Sequence, residues 1–376
     1  MSRNHRNKFR MKTILIVAGT RPEIIKTAPI ALEAKKRENC RVHYCLTGQH
    51  KTMAQEALSI FNILPDEDLN IMRPNQTLNT ISESVFAKLP VIIDKVKPDI
   101  LLVQGDTTTA AMAALCAFNM KIPVGHIEAG LRSHNLDAPY PEELNRKVIS
   151  CLAKYNFCPT EAARENLIKE SVSAHSLYVT GNTAIDAIRF LLETKSIDSA
   201  EQVVPGLQTP YVLVTAHRRE SFGDGFKNIC EALRKCAELY SHYQFVYPVH
   251  LNPNVSGPVH QILGGIQNIH LIAPVTYLQM GALMKNCAFV LTDSGGIQEE
   301  APSFGKYAIV MRDVTERMES VLLGYSELVG ASSERIIDAV RKQILKPIRV
   351  NPENNPYGDG HTSERILNIL TQETTC

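Results

Sequence analysis

The sequence lacks an excess of charge of either sign and has no long apolar run. Its 376 residues carry a formal net charge of +1, and 44% of them are hydrophobic. Nucleic acids and anionic membranes attract strongly basic proteins, so this balance argues against both as partners. No apolar stretch approaches the ~18 residues that a membrane-spanning helix needs. The composition is typical of a globular protein with a sizeable core.

Metal-binding and disulfide patterns are also missing. The nine cysteines are irregularly spaced without a C-x-x-C pair, and the twelve histidines form no H-x-x-x-H or H-E-x-x-H pattern. An odd number of cysteines, several of them in apolar segments, is typical of reduced thiols in a cytoplasmic protein. We therefore predict a cytoplasmic location and no metal site.

Short apolar runs alternate with helical patterns along most of the chain. Segments such as TILIVAGT, DILLVQGD and IPVGHIEA indicate buried strands, and the pattern restarts with YVLVTAH and FVLTDS after a polar, proline-containing segment. Continuous apolar strands separated by helices indicate parallel sheets covered on both faces. We predict a disordered basic leader at 1–11, an α/β domain at 12–192, a linker at 193–210 and a second α/β domain at 211–356.

The first strand–helix turn lacks two common nucleotide-binding motifs. VAGTRPEIIK contains neither G-x-G-x-x-G nor G-x-x-x-x-G-K-[ST], so the sequence predicts no nicotinamide cofactor and no P-loop. Arg21 and Lys26 instead bring cations to a helix start, where backbone N–H groups favour an anion. The alternative is an ordinary turn with solvated charges.

The segment LTDSGGIQEEAPSFG is a stronger candidate for a phosphate-binding turn. Ser294, Gly295 and Gly296 lie between a strand and a helix, where glycines permit close backbone approach. Glu299 and Glu300 follow about one helical turn later, where carboxylates accept hydrogen bonds from ribose hydroxyls. A capped helix with two solvated glutamates is the alternative.

Further cations follow two neighbouring strands of the second half. VTAHRRES ends a strand with His217, Arg218 and Arg219, and YPVHLNPNV ends another with His250. Such residues suit a phosphate or diphosphate. A lone histidine at a strand end is more often structural, so both interpretations stay open.

Three carboxylates of the first half lie at or just beyond strand ends. They are Asp106 in QGDTTTA, Glu128 in GHIEAGL and Glu142 in PYPEELNR. Ligands of parallel sheets bind outside the carboxyl ends of the strands. Carboxylates gathered there would raise each other's pKa and provide an acid/base pair. For Asp106 alone, the alternative is a helix N-cap.

The motifs GTRPEIIK, TGQH, GDTTT, GHIEAGLR, PYPEELNR, TAHRRES, DSGGIQEEAPS and NPYGDG occur in this order from about residue 13 onwards. In this order the chain resembles the non-hydrolysing UDP-N-acetylglucosamine 2-epimerases. The resemblance implies a GT-B-like fold of two Rossmann-like domains with an active-site cleft between them, a C-terminal helix (357–376) packed on the first domain, and a homodimer. It also implies reversible conversion of UDP-GlcNAc to UDP-ManNAc, by elimination of UDP to 2-acetamidoglucal and re-addition, for surface-polysaccharide synthesis.

The family's functional positions can be carried over residue by residue. Its catalytic positions fall on Asp106, Glu128, Glu142 and His217. The substrate- and UDP-binding residues that we predict are Arg21, Lys26, Arg146, Arg218, Tyr277, Ser294, Gly295, Gly296, Glu300 and Arg317. An activating second UDP-GlcNAc site in some members corresponds to Gln49, His50 and His250.

Four departures from the family pattern qualify these assignments. TERMES stands where the family usually has T-E-R-P-E, and Met280 replaces an aromatic residue that stacks on uracil. Asn75 and Thr52 replace longer polar side chains near the activating site, so activation by substrate stays open.

Two other functions remain as alternatives, whereas a hydrolysing relative and a catalytically silent nucleotide-sugar binding protein fit the sequence less well. A related epimerase would act on a modified UDP-2-acetamido sugar, with SHNLDAPYPEE as the segment where substrates differ. A GT-B glycosyltransferase would need an acceptor but not three carboxylates in its first domain. A hydrolysing relative would release free ManNAc, whereas GDTTT and GHIEAGLR follow the non-hydrolysing pattern.

Overall fold

The computed structural model describes residues 10–48, 51–73, 76–194, 199–218 and 222–372. The chain divides into two compact units: unit 1 is Met1–Ala187 with Gly360–Cys376, and unit 2 is Ile188–Asp359. Nearly all of the predicted leader lies outside the described residues, as do Gln49, His50, Asn75 and Arg219.

Unit 1 contains a parallel sheet covered by helices. In its described part, seven strands pair in the order β3-β2-β1-β4-β5-β6-β7. These strands are β1 (Lys12–Ala18), β2 (Cys40–Leu46), β3 (Glu67–Asp68), β4 (Ile100–Gln104), β5 (Val124–Ile127), β6 (Tyr155–Cys158) and β7 (Leu177–Val179). The helices are α1 (Arg21–Ala34), α2 (Lys51–Ile60), α3 (Leu78–Val96), α4 (Thr108–Asn119), α5 (Glu142–Leu152), α6 (Glu161–Lys169) and the C-terminal α15 (Thr362–Thr371). The helix α7 (Thr183–Thr194) begins in unit 1 and ends in unit 2.

Unit 2 repeats this construction. Its six described strands are all parallel, in the order β10-β9-β8-β11-β12-β13. They are β8 (Tyr211–Thr215), β9 (Gln244–Pro248), β10 (Ile269–Ile272), β11 (Phe289–Thr292), β12 (Ala308–Val310) and β13 (Ser326–Leu328). The helices are α8 (Ala200–Val203), α9 (Asp224–Leu239), α10 (Pro253–Leu263), α11 (Tyr277–Asn286), α12 (Gly295–Glu300), α13 (Met318–Leu322) and α14 (Ser333–Leu345).

Strand composition explains both sheets. The strands β4 and β8 are buried at every position, as expected for strands with helices on both faces. The two helix-covered parallel sheets confirm the predicted two-domain α/β, GT-B-like fold class. In the described part of the chain, no helix is long and apolar enough to cross a membrane.

In each sheet, the direction in which successive strands are added reverses at one point. The chain moves outward in one direction from β1 through β2, and in the other direction from β4 onwards. The same reversal separates β8 from β11 in unit 2. Ligands of open parallel sheets bind beside such a reversal, at the carboxyl ends of the strands. The turns after β1, β4, β8 and β11 are therefore the expected binding turns.

Part of the segment that we predicted to be a linker is packed structure. Residues 193–210 include α8, and Ala200 and Val204 are buried in a core cluster with Tyr211 and Leu283 of unit 2. The segment is polar overall, so its composition did not indicate that these two apolar residues are buried.

The C-terminal helix packs on α1 within unit 1. Arg37, just beyond α1, donates to the Asn368 side chain at 2.7 Å and to the Glu364 carbonyl at 3.2 Å. The Asp186 carboxylate accepts the backbone N–H groups of Thr362 and Ser363 at 3.1 and 2.6 Å. These contacts join the start of α15 to α7.

A fully buried histidine lies on β5. The Nε2 atom of His126 is 2.8 Å from the carbonyl oxygen of Gly105, in the turn after β4. Burial lowers the pKa of His126 to about 4, although the Gly105 bond and the nearby Glu128 oppose this shift. The ring is therefore neutral at pH 7, with Nε2–H donating to Gly105.

This burial makes stability depend on pH. The folded pKa of about 4 lies below the unfolded value of about 6.5, so the contribution is complete above pH 6.5 and is lost as pH falls towards 4. Between pH 7 and 4.5, we expect the free energy of unfolding to fall about 2–3 kcal/mol more in the wild type than in His126→Phe. Urea denaturation at both pH values measures this difference, and equal pH dependence in the two proteins would contradict a neutral buried His126.

Candidate active site

The candidate site in unit 1 begins at the carboxyl ends of three adjacent strands. The strand β4 pairs with both β1 and β5, so the turns that follow them are neighbours. Arg21 follows β1, Asp106 follows β4 and Glu128 follows β5. The chain thus brings together, at one sheet edge, residues that are more than 100 positions apart.

Glu128 is held in an unusual backbone conformation. Its φ is +67°, which is disfavoured for residues with a Cβ atom and is common at functional sites. The Oε2 atom accepts from the Lys26 ammonium, from Gln104 at 3.1 Å and from Asn182 at 3.2 Å. These three donors fix a buried carboxylate, and they make Lys26, a predicted substrate contact, a partner of Glu128.

Asp106 is oriented by an arginine from α5. Its Oδ2 atom accepts from Nε of Arg146 at 2.9 Å and lies 2.7 Å from Nη2. The N-cap of α4 is Thr107, whose hydroxyl accepts from the N–H of Ala110 at 3.0 Å. The N-cap alternative for Asp106 is therefore wrong, because the neighbouring threonine performs that role.

The consecutive glutamates at the start of α5 point to different surroundings. Glu143 is fully buried and accepts the N–H groups of Ser133 and His134 at 3.0 and 3.1 Å. It also accepts from Nη1 of Arg146 at 3.2 Å. Glu142 keeps a buried Oε2 atom without a hydrogen-bond partner in the described part of the chain. Buried acceptors are normally paired, so this oxygen suits a ligand.

The charged partners that surround the carboxylates are cations. Lys26 contacts Glu128, and Arg146 contacts Asp106 and Glu143. Arg21, which is half-buried, makes no hydrogen bond or ion pair with the described residues.

A buried glutamate that the sequence analysis passed over connects two of these turns. Glu23 on α1 accepts from the N–H groups of Gly19 and Thr20 at 3.0 and 2.7 Å and from the Thr107 hydroxyl at 2.7 Å. Burial raises the pKa of Glu23, although these hydrogen bonds oppose the shift. The signal in the sequence was the capping box T-x-x-E at Thr20–Glu23.

The candidate site in unit 2 follows β8, β9 and β11. The rings of His217 and His250 are stacked, with centroids 5.5 Å apart. Burial lowers the pKa of His217; Asp293 opposes this shift, and Arg218 and His250 add to it. Asp293, which immediately precedes Ser294, is a further residue that the sequence analysis missed.

The two predicted phosphate-binding glycines are required for different reasons. A Cβ atom on Gly295 would lie 2.7 Å from Cζ of Arg317, so packing alone explains this glycine. A Cβ atom on Gly296 would meet no atom within 4 Å. Packing within the chain therefore leaves Gly296 unexplained, whereas close approach by a ligand would require it.

Arg317 lies at the centre of a buried ion-pair network. Its Nε atom donates to Glu299 at 2.8 Å, and its Nη1 atom donates to Glu316 at 3.4 Å. Tyr357 of the NPYGDG motif donates its hydroxyl to the Arg317 carbonyl at 3.0 Å. The Glu299 carboxylate is therefore paired with Arg317 within the protein, unlike the ribose contact that the sequence suggested for it.

Glu300, the next residue, lies beside Tyr277. Burial and the Glu300 carboxylate raise the pKa of Tyr277 well above its ordinary value. Met280 is partly buried and packs against the unit 2 core. In the described part of the chain, no group of three or more His, Cys, Asp or Glu side chains is arranged to hold a metal ion.

Comparison with known proteins points to one family. The model of the UDP-N-acetylglucosamine 2-epimerase family matches residues 32–371. The UDP-N-acetylglucosamine 2-epimerase of Neisseria meningitidis serogroup A is 45% identical over 95% of this chain and 98% of its own length. The enzyme of that name from Escherichia coli K12 is 46% identical, with the same coverage of each chain.

Solved structures agree with the sequence relatives. The crystal structure of UDP-GlcNAc 2-epimerase from Neisseria meningitidis bound to UDP-GlcNAc matches with a TM-score of 0.91 at 45% identity, covering 96% of this chain and 100% of that one. The Methanocaldococcus jannaschii enzyme in complex with UDP-GlcNAc and UDP matches with a TM-score of 0.82 at 34% identity and the same coverage. This chain is therefore a member of the UDP-N-acetylglucosamine 2-epimerase family of enzymes.

Proposed function

We propose that the protein interconverts UDP-GlcNAc and UDP-ManNAc by inverting C2 of the sugar. The observation that carries the proposal is the match to UDP-GlcNAc 2-epimerases over nearly the whole chain, with a carboxylate at each predicted catalytic position of unit 1. Relatives bound to UDP-GlcNAc and to UDP support a UDP-sugar as the substrate.

The chemistry explains the need for several carboxylates. The C2 hydrogen of the sugar is not next to a carbonyl, so direct deprotonation is too costly. In the proposed route a carboxylate takes the C2 proton while the C1–O bond to UDP breaks, which leaves 2-acetamidoglucal and UDP. UDP then adds back to C1 while a second group delivers a proton to the opposite face of C2. Two differently placed acid/base groups from Asp106, Glu128 and Glu142 meet this requirement.

The cations and glycines suit the leaving group. UDP must be held after the C1–O bond breaks, because loss of UDP would stop the reaction at 2-acetamidoglucal. We assign this task to His217, Arg218 and the Ser294–Gly296 turn of unit 2, and Arg21 of unit 1 stays a predicted substrate contact. Glu300 beside Tyr277 is the proposed ribose contact, and Arg317 supports the turn by packing against Gly295.

The cellular role belongs to the same proposal. UDP-ManNAc would supply ManNAc-type precursors for surface polysaccharide in the cytoplasm, and the active form would be a homodimer without a cofactor. Activation by a second UDP-GlcNAc is not part of this proposal, because Asn75 and Thr52 depart from the members that bind it.

Isotope exchange provides the direct test. We expect proton NMR of the protein with UDP-GlcNAc in D2O to show UDP-ManNAc with deuterium at C2, because solvent supplies the returning proton. Free ManNAc with UDP would indicate a hydrolase. Neither product nor exchange would reject UDP-GlcNAc as substrate and direct the assay to modified UDP-2-acetamido sugars.

Neutral replacements test the carboxylates. Asp106→Asn, Glu128→Gln and Glu142→Gln should each lower kcat at least about 100-fold, because each removes a proton acceptor. UDP affinity, measured by calorimetry, should change little. Glu161→Gln on α6, where the side chain is 67% exposed, is the matched control and should keep full activity. Near-normal rates in all three variants would refute the assignment.

The two glycines give a matched pair of variants. Gly295→Ala forces Arg317 away from its place and should destabilise the fold by about 1–3 kcal/mol. Gly296→Ala meets open space in a helix and should fold at least as stably as the wild type, while UDP binds more weakly. Thermal denaturation and UDP titration separate the effects, and unchanged UDP affinity in Gly296→Ala would remove this turn from the binding site.

A further inference from the structure

Asp293 anchors the segment that carries His217. It directly follows β11 and is completely buried. Its Oδ2 atom accepts the backbone N–H groups of His217 and Arg218, each at 2.7 Å. Because β8 and β11 are adjacent parallel strands, one carboxylate oxygen at the end of β11 fixes the chain as it leaves β8.

The second oxygen of the Asp293 carboxylate does not take part in this anchor. Oδ1 of Asp293 is buried and has no hydrogen-bond partner among the described residues. It lies 3.7 Å from Nδ1 of His217, just beyond hydrogen-bond distance. A buried carboxylate oxygen without a donor is costly, and catalytic hydrogen bonds are often long before a ligand binds.

The surroundings of His217 favour one orientation of its ring. His250 stacks on one face at an interplanar angle of 16°, and Arg218 follows in the chain. Asp293 from β11 is the acidic group that faces the ring, on the Nδ1 side. Nε2, on the opposite edge of the imidazole, is therefore directed away from Asp293.

We propose that Asp293 is the positioning residue for His217, holding Nδ1–H towards its Oδ1 atom and leaving Nε2 as the nitrogen that gains or loses a proton. The catalytic part of this inference rests on the proposed function, in which His217 faces the departing diphosphate. An imidazolium whose Nδ1–H is held by a carboxylate can donate from Nε2 to the oxygen that leaves C1.

The wild-type ring itself provides the first test. In long-range ¹H–¹⁵N spectra of protein labelled at histidine, neutral His217 should be the Nδ1–H tautomer. The signal is identified by its absence in His217→Asn. This measurement needs neither substrate nor turnover, and an Nε2–H tautomer would overturn the proposal.

Asp293→Asn is the second test. The amide oxygen can still accept both backbone N–H groups, while the NH₂ group faces Nδ1 and donates to it. The neutral ring should then switch to the Nε2–H tautomer, and kcat should fall on the order of 10²–10⁴-fold. UDP affinity should stay within about threefold, because the backbone anchor is kept.

Tyr247→Phe is the control for a purely structural effect. The Tyr247 hydroxyl donates to the Ala216 carbonyl at 2.6 Å, so this variant removes a buried anchor next to His217 without touching its ring. It should keep the wild-type tautomer and nearly the wild-type kcat. Equal losses of kcat in Tyr247→Phe and Asp293→Asn, or an unchanged tautomer in Asp293→Asn, would reject the positioning role. If Asp293→Asn switches the tautomer but the wild-type protein does not epimerise UDP-GlcNAc, the proposed function alone is rejected.

Discussion

The reversal of strand order beside β1 and β8 is the constraint on which both candidate sites depend. Helices that leave the two strands at a reversal cover opposite faces of the sheet, so the turns between them are not closed over by a helix. Arg21 and Asp106 lie on two such turns in unit 1, and His217 and Ser294 on two in unit 2. Strand order thus decides where polar side chains can lie without disturbing a core.

Placing charges at the edge of an apolar sheet requires partners for them. Buried ions cost several kcal/mol unless they are paired and hydrogen-bonded. Two ion pairs meet this requirement, Glu128 with Lys26 and Glu299 with Arg317. Arg146 pairs with both Asp106 and Glu143. Such pairs contribute little net stability, but they fix orientation. In this chain they hold the carboxylates and the glycine turn in place before any ligand arrives.

Sequence patterns were sufficient for the alternation of strands and helices and for the residues at strand ends, because both follow from local periodicity. They could not show which of Glu142 and Glu143 is held by the protein's own donors, since neighbouring helix positions differ only in the direction in which the side chain points. They also missed Glu23 and Asp293, whose deciding partners, Thr107 and His217, are 84 and 76 positions away. A carboxylate's role depends on which donors folding brings to it, and that information is not local.

The return of α15 to unit 1 has a consequence for synthesis. The residues of unit 2 are continuous in the chain, whereas unit 1 needs Gly360–Cys376 as well as its first 187 residues. The Asp186 carboxylate meets its N–H donors only after 176 further residues have been added. Domains generally fold as units during translation. Unit 1 can therefore complete its fold only after the whole of unit 2 has been synthesised, although unit 1 is the first to be started.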